Sequence, residues 1–164
     1  MKIFPHVEFQ TSSDLKPGDL FLLIDYSFSC LAIQTVERSA FILGPNFEQI
    51  VPEPTVTKLD ITTALNYGND YVIKLPTRSD AWTKTSKGNF FLAVTKGGTY
   101  LSFNSRAGTH SRFLCFLDLS NGNILEKLPG PAVFTEYWEF CVIDCANTLR
   151  PLIQFATGSS KQPQ

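Results

Sequence analysis

A chain of 164 residues is long enough for one domain with a self-sufficient core. A protein of this size buries roughly 70% of its unfolded surface and needs no disulfide or metal to support it. Hydrophobic residues make up 43% and charged residues only 18%, and 14 Phe against a single Met favour strands and exclude a helical bundle. The net charge of −1 argues against a general polyanion binder, and no run of about 18 apolar residues is present to cross a membrane as a helix.

In chain order, Met1-Lys2-Ile3-Phe4-Pro5-His6 lacks the apolar stretch of a signal peptide, so the expectation is a soluble, cytoplasmic protein. Lys16-Pro17-Gly18-Asp19 predicts a turn: Pro presets φ at its second position and Gly accepts the positive φ that follows. The turn leads into Leu20–Ile24, apolar on both faces and hence a central strand. Runs near Cys30–Val36 and Ala40–Leu43 extend this into an antiparallel meander. From Gly44 to Pro54 the prolines predict irregular chain. Asp60 is placed to cap a brief helix over Ile61–Asn66, ending near Gly68.

Asp70–Leu75 reads as a strand, and Thr77–Asn89 as a long polar loop with one helical turn capped by Asp80. The clearest hairpin joins Phe90–Thr95 to Thr99–Asn104 through Lys96-Gly97-Gly98. A second joins Phe113–Leu119 to Ile124–Leu128 through Ser120-Asn121-Gly122-Asn123, where Asn-Gly is the strongest short-range turn signal. Ala132–Ile143 is predicted as a strand from its β-branched and aromatic content, and Thr148–Phe155 as another, with Pro151 marking an edge or a bulge. The fold expected is an all-β antiparallel barrel or sandwich of about eight to ten strands with one or two short helices. The alternative is α+β with 132–146 helical. Residues 1–157 form a single β-rich domain, and 158–164 a disordered tail.

The four cysteines, Cys30, Cys115, Cys141 and Cys145, sit in apolar runs and read as buried free thiols. His6 and His110 stand apart from any ligand-like pair, so no metal site is expected. Phosphate-binding and dinucleotide-binding glycine motifs are absent, and no cofactor is expected.

The sharpest non-local signal is the placement of charge. Residues 77–112 carry six basic residues against Asp80 alone, while 1–76 carry a net −4 and 113–164 a net −2. Two polar segments, Thr77–Gly88 and Asn104–Arg112, flank the first hairpin, and both are read as loops meeting at its open end. They would gather Arg78, Lys84, Lys87, Arg106 and Arg112 with His110 and Trp82 into a basic rim. Guanidinium groups suit phosphate, sulfate or carboxylate, and Trp82 could stack on a ring.

Catalytic chemistry is weakly represented. His110 is the one histidine among polar neighbours, Ser111 beside it would point away on an extended chain, and Cys115 lies in an apolar run where a thiol is inert. The expected function is a non-catalytic binding or interaction domain whose basic rim takes an anionic small molecule or a protein partner. Membrane and nucleic-acid partners are disfavoured. The alternatives are an assembly protein forming homo-oligomers through its aromatics, or a small hydrolase or lyase acting on an anionic substrate.

Overall fold

The structure is a computed structural model that describes residues 8–11, 14–24, 29–37, 40–45, 55–57, 64–84, 90–107, 111–144 and 146–156. It is nearly all β. A first six-stranded sheet comprises β1 (Glu8–Gln10), β2 (Leu20–Ile24), β3 (Ser29–Gln34), β4 (Ala40–Pro45), β5 (Thr55–Thr57) and β6 (Ala64–Gly68), in the spatial order β1-β6-β2-β3-β4-β5. A second contains β8 (Trp82–Thr83), β9 (Leu92–Thr95), β10 (Gly98–Ala107), β11 (Ser111–Asp118), β12 (Ile124–Leu125) and β13 (Ala132–Thr135), in the order β12-β11-β10-β9-β13-β8. A third, three-stranded sheet sets β14 (Tyr137–Ile143) between β15 (Leu149–Ala156) and β7 (Val72–Lys74). Among the described residues every pairing is antiparallel. Among the described residues none of the sheets closes into a barrel, and the arrangement is sandwich-like.

The three sheets meet on one apolar cluster. Leu20, Ile33 and Phe41 enter it from the first sheet, Leu92, Leu101, Phe103 and Leu117 from the second, and Trp138 and Phe140 from the third. Edge-to-face contacts tie them together, with Phe41 and Phe103 centroids 4.9 Å apart and Phe90 and Trp138 5.2 Å apart. Burying each such side chain contributes about 1.5–3 kcal/mol. The ion pairs among the described residues are solvent-screened and contribute little, so the cluster dominates. Period-two alternation sends the intervening residues to the opposite faces. Phe21 and Leu23 join a second cluster with Leu15 and Cys30, and Phe91, Tyr100 and Phe116 form a third. Leu20–Ile24 is thus a central strand flanked by β6 and β3 and apolar on both faces, as its composition predicts.

Several expectations match in detail. The β2–β3–β4 meander forms. Gly18 has φ +90° and Asp19 N–H donates to Lys16 C=O at 3.0 Å, which is the Pro-Gly turn in its expected form. Gly122 has φ +70° in the β11–β12 turn. Pro151 marks both an edge and a bulge: β15 is an outer strand, and the register slips where Phe140 pairs with Ile153 but Cys141 with Pro151.

Other expectations are corrected. The helix proposed for Ile61–Asn66 is overturned at Ala64–Asn66, which lie in β6 hydrogen-bonded between β1 and β2; pairing on both sides outweighs local propensity. Asp60 and Ile61 lie outside the described residues. Gly44 and Pro45 belong to the end of β4, and a bulge between Leu31 and Ala32 admits them. The α+β alternative fails because 132–143 is two strands, not a helix. A break at Glu136 sends them to different sheets. Thr135 Oγ1 accepts from Tyr137 N–H (3.1 Å) and donates to Tyr137 C=O (3.3 Å), which satisfies the backbone at the corner. The hairpin linker is two residues, Lys96-Gly97, because Gly98 already pairs with Thr95. Among the described residues the one helical element is a 3-10 turn, Ser79–Ala81, and no helix is long and apolar enough to cross a membrane. Among the described residues there are fifteen strands instead of the expected eight to ten, because several are only two or three residues long. The tail 158–164 lies outside the described residues.

Candidate functional site

The first polar segment becomes an edge of the second sheet. Arg78 precedes the 3-10 turn and folds back on it, its Nε donating to Asp80 Oδ1 at 3.1 Å and its Nη2 to Asp80 Oδ2 at 2.5 Å. Asp80 therefore sits inside the turn as the acceptor of this fork, not at its start as a cap. Hydrogen bonding to Arg78 holds the Asp80 carboxyl below its ordinary range, and the same bond raises the Arg78 guanidinium. Trp82 pairs with Thr135 across β8 and β13, and its indole Nε1–H donates to Pro76 C=O at 3.1 Å, pinning the loop that leads into the turn. Lys84 is exposed just beyond β8, and Lys87 lies outside the described residues.

The second polar segment is not the loop expected from its composition. β10 runs through Ala107 and β11 starts at Ser111, and their ladder pairs Arg106 with Arg112 directly, one step short of the terminal Ala107–Ser111 pair. Polar residues can continue a ladder when the partner strand supplies the backbone bonds, and here the register is continuous from Tyr100–Asp118 to Ala107–Ser111. β9 pairs with β10 only as far as Leu92–Leu101, so the outer half of the β10–β11 hairpin runs past its neighbour in the sheet. His110 lies outside the described residues. The segments thus occupy different strands. Arg78, Trp82 and Lys84 stand at the β8 edge, and Arg106 and Arg112 stand on β10 and β11, with β13 and β9 between.

A cavity of about 180 Å³ opens between the 3-10 turn and the β13–β14 corner. Asp80, Ala81 and Thr83 line it from the turn and β8, Phe134, Thr135, Glu136 and Tyr137 from the corner, and Phe91 from just ahead of β9. Phe91 and Phe134 meet edge-to-face at 5.1 Å. Sequence reasoning gave Glu136 and Tyr137 no role in a site. The signal was ambiguous: Glu136 and Glu139 both interrupt this apolar run, but only Glu136 falls at a break, and Glu139 lies within β14.

The remaining polar chemistry is structural or shielded. Among the described residues no three His, Cys, Asp or Glu side chains gather as metal ligands. Cys30, Cys115 and Cys141 are buried free thiols. Burial pushes Cys30 up to about 11 and raises the other two, which keeps them protonated and poor nucleophiles. Glu139 is held by Lys74 at 3.1 Å. The chain matches no protein-family model, no curated protein and no solved structure at a significant level.

Proposed function

We propose that this chain is a non-catalytic binding domain whose anionic ligand is taken at the outer end of the β10–β11 hairpin, between Arg106 and Arg112. The observation that carries the reading is the ladder register, in which these two residues are direct cross-strand partners. Like charges directly opposed in an antiparallel pair are destabilising. An anion between them turns that repulsion into two charge-assisted contacts, and guanidinium groups suit phosphate, sulfate and carboxylate geometry. Burial and the raised pKa of Cys30, Cys115 and Cys141 speak against a cysteine nucleophile at these three positions.

The experiment is a thermal-shift titration of the full chain with sulfate, inorganic phosphate and a heparin oligosaccharide. A ligand that binds only the folded state raises the melting temperature with concentration. The expected result is a saturable rise that weakens as sodium chloride is added and disappears in Arg106→Ala and in Arg112→Ala. An unchanged rise in the double variant sinks the proposal, as does no rise with any of the three anions.

A further inference from the structure

The cavity beside the 3-10 turn is distinct from the hairpin and has the opposite charge character. Pockets for drug-sized ligands run to roughly 300–1,000 Å³, whereas a cavity of about 150 Å³ already holds a benzene-sized molecule. At about 180 Å³ this one accommodates a single short apolar group with one polar head. Its lining decides which head. Phe91, Phe134 and Tyr137 supply three aromatic rings, and the two charged residues among the described lining, Asp80 and Glu136, are both acidic. Asp80 is already engaged by the Arg78 fork. Glu136 has no ion pair among the described residues.

We propose that this cavity binds a small organic cation on a short alkyl stem, with Glu136 as its counter-ion. Aromatic rings attract a cation through the negative potential over their faces, and the unpaired carboxylate supplies the opposite charge. A carboxylate or phosphate ligand would meet acidic groups instead. A neutral ligand would leave the Glu136 charge unused. The inference stands independently of the Arg106–Arg112 reading, because it uses different strands and the opposite sign of ligand.

The test is a nitrogen-15 NMR titration of the full chain with n-butylammonium, beside its neutral and anionic counterparts 1-butanol and butyrate. The reporters are the Trp82 indole N–H, whose chain neighbours Ala81 and Thr83 line the cavity, and the amides of Thr135–Tyr137. The expected result is a saturable shift confined to these signals with n-butylammonium, weaker binding of 1-butanol and none of butyrate. Glu136→Gln keeps the side-chain volume and is expected to weaken n-butylammonium by about tenfold, roughly the cost of one charge-assisted contact. Tyr137→Leu, at a position 42% exposed, tests the aromatic part without threatening the fold and is expected to weaken it severalfold. Equal affinity in Glu136→Gln, butyrate binding as tightly as the amine, or no saturable shift at this corner would overturn the proposal.

Discussion

Two polar regions of this molecule look alike in sequence and differ in what their side chains have left to offer. The first is the junction of three turns around Gly18, Gln34 and Gly122. Gly18 N–H donates to Gln34 C=O at 2.8 Å, Gln34 N–H to Asp19 C=O at 2.9 Å, and Val36 N–H to Gly122 C=O at 3.1 Å. The Asp19 carboxylate, buried at 6% exposure, accepts from Lys16 N–H and from Asn66 Nδ2, both at 2.9 Å. Tyr71 donates its hydroxyl to Leu119 C=O at 2.7 Å. The second region is the β8 edge, where Asp80, Glu136 and Tyr137 line an open cavity and Arg78 engages Asp80. In the junction these backbone groups and the Asp19 carboxylate are consumed by holding turns together, and the one orphaned group, Gln34 Oε1, is buried away from solvent. At the edge Glu136 has no ion pair among the described residues, and it lines the cavity together with Tyr137. Polarity alone therefore does not mark a site; unspent bonding capacity beside an accessible volume does.

That contrast predicts where substitutions cost stability. Gly122→Ala should be the most damaging, because a Cβ there would sit 2.4 Å from Gln34 O and 2.8 Å from Gly18 N, on a residue with φ +70°. Strained backbone and steric conflict together should cost about 3–4 kcal/mol, a drop of roughly 10 °C in melting temperature for a chain of this size. Gly130→Ala, where an added Cβ meets nothing within 4 Å, is the control and should melt as the wild type does. Next comes Asn66→Ala. It removes donors to Asp19 and to Gln10 Oε1 (2.8 Å) and the acceptor for Gly68 N–H (2.8 Å). Leaving the buried Asp19 carboxylate short of a donor should cost about 2 kcal/mol in a denaturant titration. Tyr71→Phe should cost about 1 kcal/mol, the net worth of one hydrogen bond, because the ring keeps its edge-to-face contact with Phe140. Should Gly122→Ala be harmless, the junction is not the structural element described.

The junction was partly legible in the sequence and the cavity was not. Pro17-Gly18 and Asn121-Gly122 announce their turns because a positive φ is a local demand that glycine meets. That those two turns pack on each other through Gln34 is a long-range fact with no local signature. The same limit explains the basic segments. Their charge was countable, but strand order decides which charges are neighbours. β13 enters between β8 and β9, which separates Arg78 from the hairpin arginines. It also explains Ala64–Asn66, where weak local helix signals yield to backbone pairing with β1 and β2. Within Ala132–Ile143 strand character was readable. The corner at Glu136 depends on Thr135 bonding Tyr137 and on two sheets offering partners in different directions.

The smallest stability effect, and the sharpest test of the comparison, is expected at Arg78. Its pair with Asp80 has good geometry, but the two side chains are 79% and 64% exposed, so water and salt screen it. Arg78→Ala should leave the melting temperature near neutral pH unchanged within measurement. What small contribution exists has a definite sign. The Asp80 carboxyl is lowered from its ordinary 3.8 by the bond to Arg78, so the stabilisation is present above that value and lost as pH falls through the depressed one. Any difference between wild type and variant should therefore be flat from about pH 8 to pH 5 and vanish in stronger acid. The cavity should respond in the other direction. Without Arg78 the Asp80 charge is uncompensated beside Glu136, and n-butylammonium should bind severalfold more tightly while the fold is untouched. A variant that melts many degrees lower would place Arg78 with the junction residues, as part of the scaffold. A variant that is stable but binds the amine less well would mean that Arg78, not the carboxylates, sets the character of this edge.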